Sequence, residues 1–300
     1  MPSILILGCG YCGTWLGQTL HARGWRVFGT TRSAERARAL HAAGITPLIV
    51  RDPRALPPTL LHSIDAVLDS IPLVGTGDGI RQMQSEWLAY LATHCHRLGW
   101  AGYLSTTSVY GDAGGDWVHE ASPCHPTSRR GQQRLLAERA WLNSGMPVEI
   151  FRLAGIYGPK RNILAKLRSG NYAVVRWDPP HYSNRVHIVD IVAALCTALE
   201  HPSPGRILNV ADDLPLPHEQ YACELASYIG APAPRILSPQ EATKVLSRRA
   251  LAFFQDSKRI DNARLHTLLP QLHYPTFREG WPSLVHDSEP AGAMTKDMVG

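Results

Sequence analysis

The stretch ILILGCGYCG, residues 4–13, decides how this 300-residue chain begins to fold. Four apolar residues run into the pattern G-x-G-x-x-G. A helix-like stretch follows, with Trp15, Leu16 and Leu20 on one side and Gly24 at its end. An apolar strand that enters a helix through this pattern is typical of a dinucleotide phosphate site.

Each glycine of the pattern has a physical reason to be there. Gly8 lets the chain turn off the strand, Gly10 removes the Cβ that would block a pyrophosphate, and Gly13 lets the helix pack close to the strand. The first N–H groups of the helix then point at the phosphate. A simple tight turn is the alternative. We predict that the cofactor contacts Gly8, Gly10, Tyr11, Cys12 and Gly13.

Strand-like and helix-like segments alternate along the first two-thirds of the chain. The predicted strands are 3–7, 25–29, 46–50, 65–70, 101–106, 147–153 and 206–210. The predicted helices are 13–23, 33–43, 79–98, 130–144 and 188–200. Such alternation predicts an α/β protein with a doubly wound parallel sheet, a Rossmann fold, with helices on both faces.

After residue 153 the sequence loses its clear period and becomes richer in Gly, Pro, Arg and aromatic residues. We predict that part of it forms a smaller C-terminal substrate domain over the carboxyl edge of the sheet, where ligands of this fold bind. The predicted division is a dinucleotide-binding domain of residues 1–153 with a return segment 187–212, a substrate domain of 154–186 and 213–286, and a disordered tail of 287–300.

Composition excludes several function classes. The formal net charge is +5, but Lys and Arg are scattered, so no nucleic-acid partner is expected. No run of apolar residues reaches the length of a membrane span. The chain starts directly in a core strand, without a charged leader, which predicts a cytoplasmic protein.

Cysteine and histidine suggest little chemistry of their own. The six cysteines are spread out, as expected for reduced thiols in the core. Cys9 and Cys12 form a C-x-x-C, but they lie inside the phosphate loop rather than in a thioredoxin-like context. The densest histidine spot is the run 94–96, and no H-E-x-x-H is present, so we predict no metal site.

The residues after the second strand, Gly29-Thr30-Thr31-Arg32-Ser33, predict which dinucleotide binds. An NAD site usually places an acidic residue here, on the ribose 2′-hydroxyl, and none is present. The guanidinium of Arg32 can hold a 2′-phosphate bidentately, with the hydroxyls of Thr31 and Ser33 beside it. We therefore predict NADP, with NAD as the alternative. The alternative is that Arg32 faces solvent in a loop and contacts no cofactor.

Two later strand ends supply further candidates for the cofactor. Asp52 follows the third strand, where it could meet the adenine amino group or simply lie in a loop. Strand ends face the cofactor in this fold. We therefore predict backbone contacts from Ser70, Ile71 and Pro72, at the end of the fourth strand.

Three further motifs carry a resemblance. They are LSTTSVYGD at residues 104–112, RLAGIYGP at 152–159 and RVHIVD at 185–190. With the glycine pattern, they make the chain resemble the extended short-chain dehydrogenase/reductases, in particular an atypical branch of the NAD-dependent epimerase/dehydratase family. The resemblance extends from residue 3 to about residue 285. It implies an NAD(P)-dependent oxidoreductase or epimerase.

The resemblance also implies roles for single residues. Thr106 holds the position of the Ser/Thr that hydrogen-bonds the reacting oxygen, although a threonine at a strand end is also satisfied by backbone. The family's acid/base Tyr and its Lys fall on Arg130 and Arg134. Arg134 can still hold ribose hydroxyls of the cofactor, but the guanidinium of Arg130 cannot give up a proton near neutral pH.

The usual proton donor is therefore missing. The substitutes are the phenols of Tyr110 and Tyr157, the hydroxyl of Ser128, and Thr106 acting through a bound water. None of the four is favoured strongly by the sequence.

The resemblance implies an anionic substrate. Arg161 and Arg185, with Lys160, are predicted to form the anion pocket, and a solvated loop is the alternative. The predicted function is oxidation, reduction or epimerisation of an anionic small molecule such as a nucleotide sugar. The alternative is a non-catalytic NADP(H)-binding regulator. The resemblance also implies a homodimer through the helices near 79–98 and 130–144, because such packing is common in the resembled family.

Overall fold

A computed structural model of the chain describes residues 1–71, 78–247, 251 and 256–285. The predicted cofactor residue Pro72 and the predicted tail 287–300 lie outside the described residues.

Fifteen strands are assigned in the described residues. They are β1 Ser3–Leu7, β2 Arg26–Thr31, β3 Thr46–Ile49, β4 Ala66–Asp69, β5 Trp100–Thr106, β6 Trp117–Val118, β7 Val148–Leu153, β8 Gly155–Tyr157, β9 Ala173–Val175, β10 Tyr182–Ser183, β11 Arg185–His187, β12 Ile207–Val210, β13 Leu216–Pro217, β14 Arg235–Leu237 and β15 Arg259–Ile260.

The helices of the same residues are α1 Tyr11–Ala22, α2 Ala34–Ala42, α3 Pro58–Leu61, α4 Asp78–His94, α5 Arg129–Leu142, α6 Leu164–Arg168, α7 Ile188–Glu200, α8 His218–Tyr228, α9 Pro239–Val245, α10 Ala263–Leu268 and α11 Phe277–Val285. Short 3₁₀ turns cover Pro53–Ala55 and Thr107–Tyr110.

The central sheet has seven parallel strands in the order β12-β7-β5-β4-β1-β2-β3. The chain builds outward from β1 to β3, then returns to β4 on the other side of β1. The crevice between β1 and β4 is therefore the topological switch point, where this fold binds its ligands. The predicted doubly wound α/β sheet is confirmed, and each of its strands overlaps one of the seven predicted segments.

Both faces of the sheet are covered by helices. One face buries side chains such as Ile4 and Ile6 against Leu16 of α1 and Ile191 of α7. The opposite face buries Leu5 and Leu7 against Trp87 of α4 and Trp141 of α5. Alternate residues of β1 thus enter opposite cores, and each fully buried aliphatic side chain contributes roughly 1.5–3 kcal/mol.

Side chains cap the first turns of two helices. The Ser33 hydroxyl accepts a hydrogen bond from the Arg36 N–H at 3.2 Å and caps α2. Ser238 and Glu241 form a capping box at the start of α9. These local bonds satisfy N–H groups that the first turn of a helix leaves without partners.

The later part of the chain has a core of its own. Tyr157, Leu164, Tyr221, Phe277 and Trp281 pack together away from the two sheet faces. The segment that carries β15 and α10 packs differently, because Ile260, Leu265 and Leu272 join the sheet core that contains α1 and α7. The predicted division into a dinucleotide domain and a substrate domain stays a prediction.

Within the described residues, no helix is both long and apolar enough to cross a lipid bilayer.

Candidate functional site

The glycine-rich loop, residues 8–13, turns the chain from β1 into α1. Gly8 has a φ of +68°, and a Cβ there would lie 2.8 Å from Cγ1 of Ile71. A Cβ on Gly13 would lie 2.7 Å from Cγ2 of Ile6, so α1 packs directly on the strand. Both glycines are therefore required by the protein's own packing.

Gly10 differs from its two neighbours in the pattern. A Cβ on Gly10 would meet nothing nearer than the Gly8 oxygen, at 3.6 Å. The space beside Gly10 is thus open at the start of α1, whose first turn has no side-chain cap. An open cradle at a helix N-terminus fits the diphosphate of a dinucleotide.

A loop from the later part of the chain lies against the start of α1. The Tyr11 hydroxyl donates to the Pro159 carbonyl oxygen at 2.8 Å, and the Arg161 guanidinium lies 5.5 Å from the Tyr11 ring centroid. Cys12 is buried, and burial raises the pKa of its thiol to about 11 although Arg161 lowers it. Arg161, predicted for the substrate, therefore lies beside the glycine-rich loop.

The end of β2 lies next to the same loop. Thr30 Oγ1 accepts a hydrogen bond from the Gly8 N–H at 2.7 Å, and Thr31 Oγ1 accepts from the Ser33 N–H at 3.2 Å. Arg32 is exposed in the turn between β2 and α2. The predicted contact of Arg32 with a 2′-phosphate, and with it the preference for NADP, stays a prediction.

Arg36 was missed by the sequence analysis. Its Nη2 donates to Thr14 Oγ1 at 2.7 Å, and its Nε donates to the Cys9 carbonyl oxygen at 3.4 Å. Arg36 thereby connects α2 to the glycine-rich loop. The available signal was its position three residues after the capping Ser33.

Asp52 has a local role in the structure. Its carboxylate accepts from the Arg54 N–H at 2.8 Å and forms an ion pair with the Arg54 guanidinium at 2.6 Å. The hydrogen bond from Arg54 lowers the pKa of Asp52. The predicted adenine contact would have to compete with this pairing, and it stays a prediction.

The end of β4 is fixed by a buried carboxylate. Asp69 accepts from the Ile71 N–H at 2.8 Å and from the Trp141 indole N–H at 2.9 Å. Burial raises the pKa of Asp69 to about 6. The Ser70 N–H bonds the Leu7 oxygen at 2.9 Å, which continues the β1–β4 pairing to the crevice. Ser70 and Ile71 therefore lie at the switch point, and their contacts with a cofactor stay a prediction.

Thr106 ends β5, on the same sheet edge as the glycine-rich loop. It is half-buried, and its Oγ1 accepts from the Ser108 N–H at 3.3 Å. The start of α5 packs closely here, because a Cβ on Gly131 would lie 2.7 Å from the Ser108 oxygen. Arg130, at the family's tyrosine position, is exposed on that first turn of α5.

Arg134, at the family's lysine position, is buried. Its Nη1 donates to the Leu104 carbonyl oxygen at 2.9 Å and to the Tyr103 hydroxyl at 3.0 Å, with the Ile71 oxygen at 3.4 Å. This arrangement braces the ends of β4 and β5 against α5. The predicted contact of Arg134 with a cofactor ribose would use its remaining N–H groups.

A buried polar network includes Ser105, the residue before Thr106. Arg152 forms an ion pair with Glu138 at 2.8 Å, and the Ser105 hydroxyl donates to Glu138. The Tyr110 hydroxyl donates to Asn209 Oδ1 at 2.7 Å and accepts from Arg152 Nη1 at 2.9 Å. We define this group of five side chains as the buried polar network.

Of the suggested proton donors, Tyr110 and Ser128 are held in hydrogen bonds, and Tyr157 is buried. Burial raises the pKa of Tyr110 to about 12, and its hydroxyl is held between Arg152 and Asn209. The hydroxyl of Tyr157 is buried and faces Gly280. Ser128 Oγ caps α5 by accepting from the Gly131 N–H at 3.1 Å.

A second group of buried polar residues lies where the later core meets the sheet edge. The Arg185 guanidinium lies 3.6 Å from the centroid of the Tyr221 ring, and its Nη2 donates to Ser183 Oγ at 2.7 Å. The Asp212 N–H donates to the Arg185 oxygen at 2.7 Å. We define Tyr157, Arg185, Asp212 and Tyr221 as the Arg185 cluster.

The Arg185 cluster contains unsatisfied groups. Among the described residues, neither Oδ2 of Asp212 nor the Tyr157 hydroxyl has a hydrogen-bond partner. Burial raises the pKa of Asp212 to about 8, while the nearby Arg185 lowers it. Arg185 and Arg161, which were predicted to form one anion pocket, have different surroundings, since Arg161 packs on Tyr11.

A cavity of about 330 Å³ lies between residues 175–181 and residues 217–220. The sequence did not predict it. Its lining includes Trp177, His181 and His218, with the exposed ion pair of Arg176 and Glu219. His218 Nε2 and the Tyr172 hydroxyl are 2.8 Å apart. Burial, together with Arg185, lowers the pKa of His218 to about 3, so the cavity presents a neutral imidazole.

The fold and the glycine-rich loop define a dinucleotide-binding α/β protein of the Rossmann class. A family model described as the NAD dependent epimerase/dehydratase family matches residues 4–211, most of the chain. The chain belongs to this family, which confirms the resemblance drawn from its motifs.

Similar proteins support the same assignment. Protein YeeZ of Escherichia coli K12 is 30% identical over 258 residues, which cover 81% of this chain and 90% of that protein. A structure titled as a functionally unknown conserved protein from Silicibacter pomeroyi is 34% identical, with a TM-score of 0.86 and coverage of 97% of this chain and 100% of that one.

A UDP-glucuronic acid 4-epimerase from Bacillus cereus, solved in complex with NAD, superposes with a TM-score of 0.74 at 18% identity. The match covers 95% of this chain and 98% of that one. At this identity the likeness shows the shared fold alone.

Proposed function

We propose that this protein binds NADP(H) and oxidises, reduces or epimerises an anionic small molecule such as a nucleotide sugar. The observation that carries the proposal is the open cradle at Gly10, next to the end of β2 and the start of α2, which offer Thr31, Arg32 and Arg36. A guanidinium at this place favours a 2′-phosphate, whereas a carboxylate would favour a free 2′-hydroxyl.

The substrate side of the proposal rests on the Arg185 cluster. A buried guanidinium that has no carboxylate within ion-pair distance, among the described residues, favours an anionic ligand, because a buried charge is stabilised by pairing. The UDP-glucuronic acid 4-epimerase from Bacillus cereus has also been solved with UDP-glucuronic acid and NAD. A nucleotide sugar is therefore the substrate class that we would test first.

The chemistry of the proposal rests on Thr106. Bound NADP(H) would supply or accept a hydride, and the residues of this chain would bind and polarise the substrate. A hydroxyl both donates and accepts, so Thr106 can follow a carbonyl that becomes an alcohol. Because the Tyr110 hydroxyl and Ser128 Oγ are held in hydrogen bonds and the Tyr157 hydroxyl is buried in the Arg185 cluster, we propose that a water bound to Thr106 carries the proton.

A second function is favoured by one specific observation. Arg130 and Arg134 occupy the positions of the family's Tyr and Lys. Nη1 of Arg134 donates to the Tyr103 hydroxyl and the Leu104 carbonyl oxygen. This arrangement suits a protein that binds NADP(H) without turning over a substrate. In that case the occupancy of the dinucleotide site would regulate binding to a partner.

Dinucleotide binding is tested by fluorescence titration of the purified chain with NADPH and NADH. We expect Gly10→Val to weaken binding by at least about 100-fold, because the new side chain fills the cradle. Its melting temperature should stay unchanged, since no protein atom contests that space. Gly13→Val is the contrasting variant, and it should unfold at lower temperature because it clashes with Ile6. Binding by the Gly10→Val variant at wild-type affinity would contradict the proposal.

Turnover is tested with a panel of nucleotide sugars, observed at the nicotinamide absorbance. With any active substrate, Thr106→Ala should lower kcat by about 10²–10³-fold and leave NADPH binding intact. Thr106→Ser should retain most activity, because it keeps the hydroxyl. NADPH binding without turnover across the panel would instead favour the regulator.

A further inference from the structure

Arg36 is a half-buried cation beside the glycine-rich loop. Its Nε and Nη2 contact the Cys9 oxygen at 3.4 and 3.5 Å, and Nη2 bonds Thr14 Oγ1 at 2.7 Å. In residues 1–71, 78–247, 251 and 256–285, no carboxylate lies within ion-pair distance of it. The guanidinium is thus held by neutral oxygens alone, which leaves its charge uncompensated.

Thr14 fixes this guanidinium relative to the phosphate cradle. The Thr14 hydroxyl donates to the Gly10 oxygen at 2.7 Å and accepts from Arg36. Arg36 is therefore oriented before any ligand arrives, whereas Arg32 is exposed in the turn before α2. A side chain that is already oriented loses less conformational entropy when it binds a ligand.

The bonding pattern of Arg36 leaves the donors that a phosphate needs. The contacts to Cys9 and Thr14 use Nε and Nη2, and Nη1 forms no hydrogen bond with the described residues. Of the five N–H donors of the guanidinium, the three on Nε and Nη2 contact Cys9 and Thr14, so the two on Nη1 remain for phosphate oxygens. Arg36 lies in the first turn of α2, which directly follows β2, and the end of β2 is where the adenosine ribose of a bound dinucleotide is expected.

We infer that Arg36, rather than Arg32, is the residue that selects the 2′-phosphate of NADP(H). The inference rests on the proposed function, since it needs a dinucleotide in the cradle. Arg32 then lies at the rim of the site and contributes little, because an exposed charge is screened by water and salt.

The test compares three arginine variants of the full chain, Arg36→Gln, Arg32→Gln and the control Arg38→Gln. Arg38 is an exposed residue of the same helix. We expect Arg36→Gln to weaken NADPH binding by about 10- to 100-fold and to leave NADH binding unchanged. The other two variants should change neither affinity by more than about threefold. Unchanged NADH binding also shows that the Arg36→Gln site is folded.

The possible results distinguish the role of Arg36 from the proposed binding of NADP(H). Wild-type protein that binds neither nucleotide would overturn the proposed function. Wild-type protein that binds NADH at least as tightly as NADPH would overturn the role of Arg36 while leaving the cradle in place. Retained NADPH selectivity in Arg36→Gln, or its loss in Arg32→Gln, would also overturn that role.

Discussion

The buried polar network and the Arg185 cluster both contain buried charged side chains, but these side chains are paired in the network and lack an ion-pair partner among the described residues in the cluster. In the network, Arg152 and Glu138 form an ion pair, and the surrounding hydroxyls complete their hydrogen bonds. In the Arg185 cluster, the guanidinium faces an aromatic ring, and Asp212 Oδ2 has no partner among the described residues. A satisfied network stabilises one conformation, whereas unsatisfied buried groups point to a ligand.

Arg152→Met should have the largest effect of the variants that test this contrast. It leaves Glu138 buried without its cation, so we expect the free energy of unfolding to fall by about 3–5 kcal/mol. The measurement is urea denaturation at pH 7. The control is Arg23→Met, because the Arg23–Glu200 pair is exposed and should contribute about 1 kcal/mol or less. If both variants lost the same free energy of unfolding, the buried Arg152–Glu138 pair would matter no more for stability than the exposed Arg23–Glu200 pair.

Asp212→Asn should have a smaller effect that depends on pH. The folded-state pKa of Asp212 is raised to about 8, so the wild-type protein loses stability as pH rises from about 4 to about 8. Asparagine has no such penalty. We expect the variant to match the wild type near pH 4 and to be more stable by about 2 kcal/mol or more at pH 9.

The readout for Asp212→Asn is denaturation across this pH range. Asp116→Asn, at an exposed position, should follow the wild-type profile throughout. A constant offset between wild type and Asp212→Asn at every pH would show that Asp212 is ionised in the folded protein over the whole range.

Arg185→Met should change stability least. The lost contacts to Ser183 and Tyr221 are offset by removal of a desolvated charge, so we expect a change within about 1 kcal/mol. Affinity for UDP-glucuronic acid, measured by calorimetry, should fall by about tenfold or more if Arg185 binds the substrate anion. A large loss of stability with unchanged ligand affinity would make Arg185 a structural residue.

The fold was predictable because its signals are local. Each strand of the central sheet is a short apolar run, and the glycine pattern after β1 announces the turn into α1. Helix α4 shows the limit, since it ends at His94 rather than at residue 98. The pairing of β8 with β11 was not predicted, because segments of three residues are too short to show a period.

The site was less predictable because its contacts join distant segments. Arg36 reaches the glycine-rich loop only because α2 packs beside it, and no local pattern encodes that packing. Arg185 and Asp212 meet because β11 and the end of β12 are brought together at the sheet edge. The motif around Thr106 located the strand end correctly, but it did not reveal that Tyr110 belongs to the buried polar network.

The two thiols of the glycine-rich loop have a practical consequence for labelling studies. Burial raises the pKa of Cys9 and of Cys12 to about 11, so both stay protonated at neutral pH and react slowly with electrophiles. A maleimide dye should therefore attach first to the half-buried Cys124 and Cys223. Such a dye would report on the chain without blocking the dinucleotide, and mild oxidants should leave nucleotide affinity unaltered.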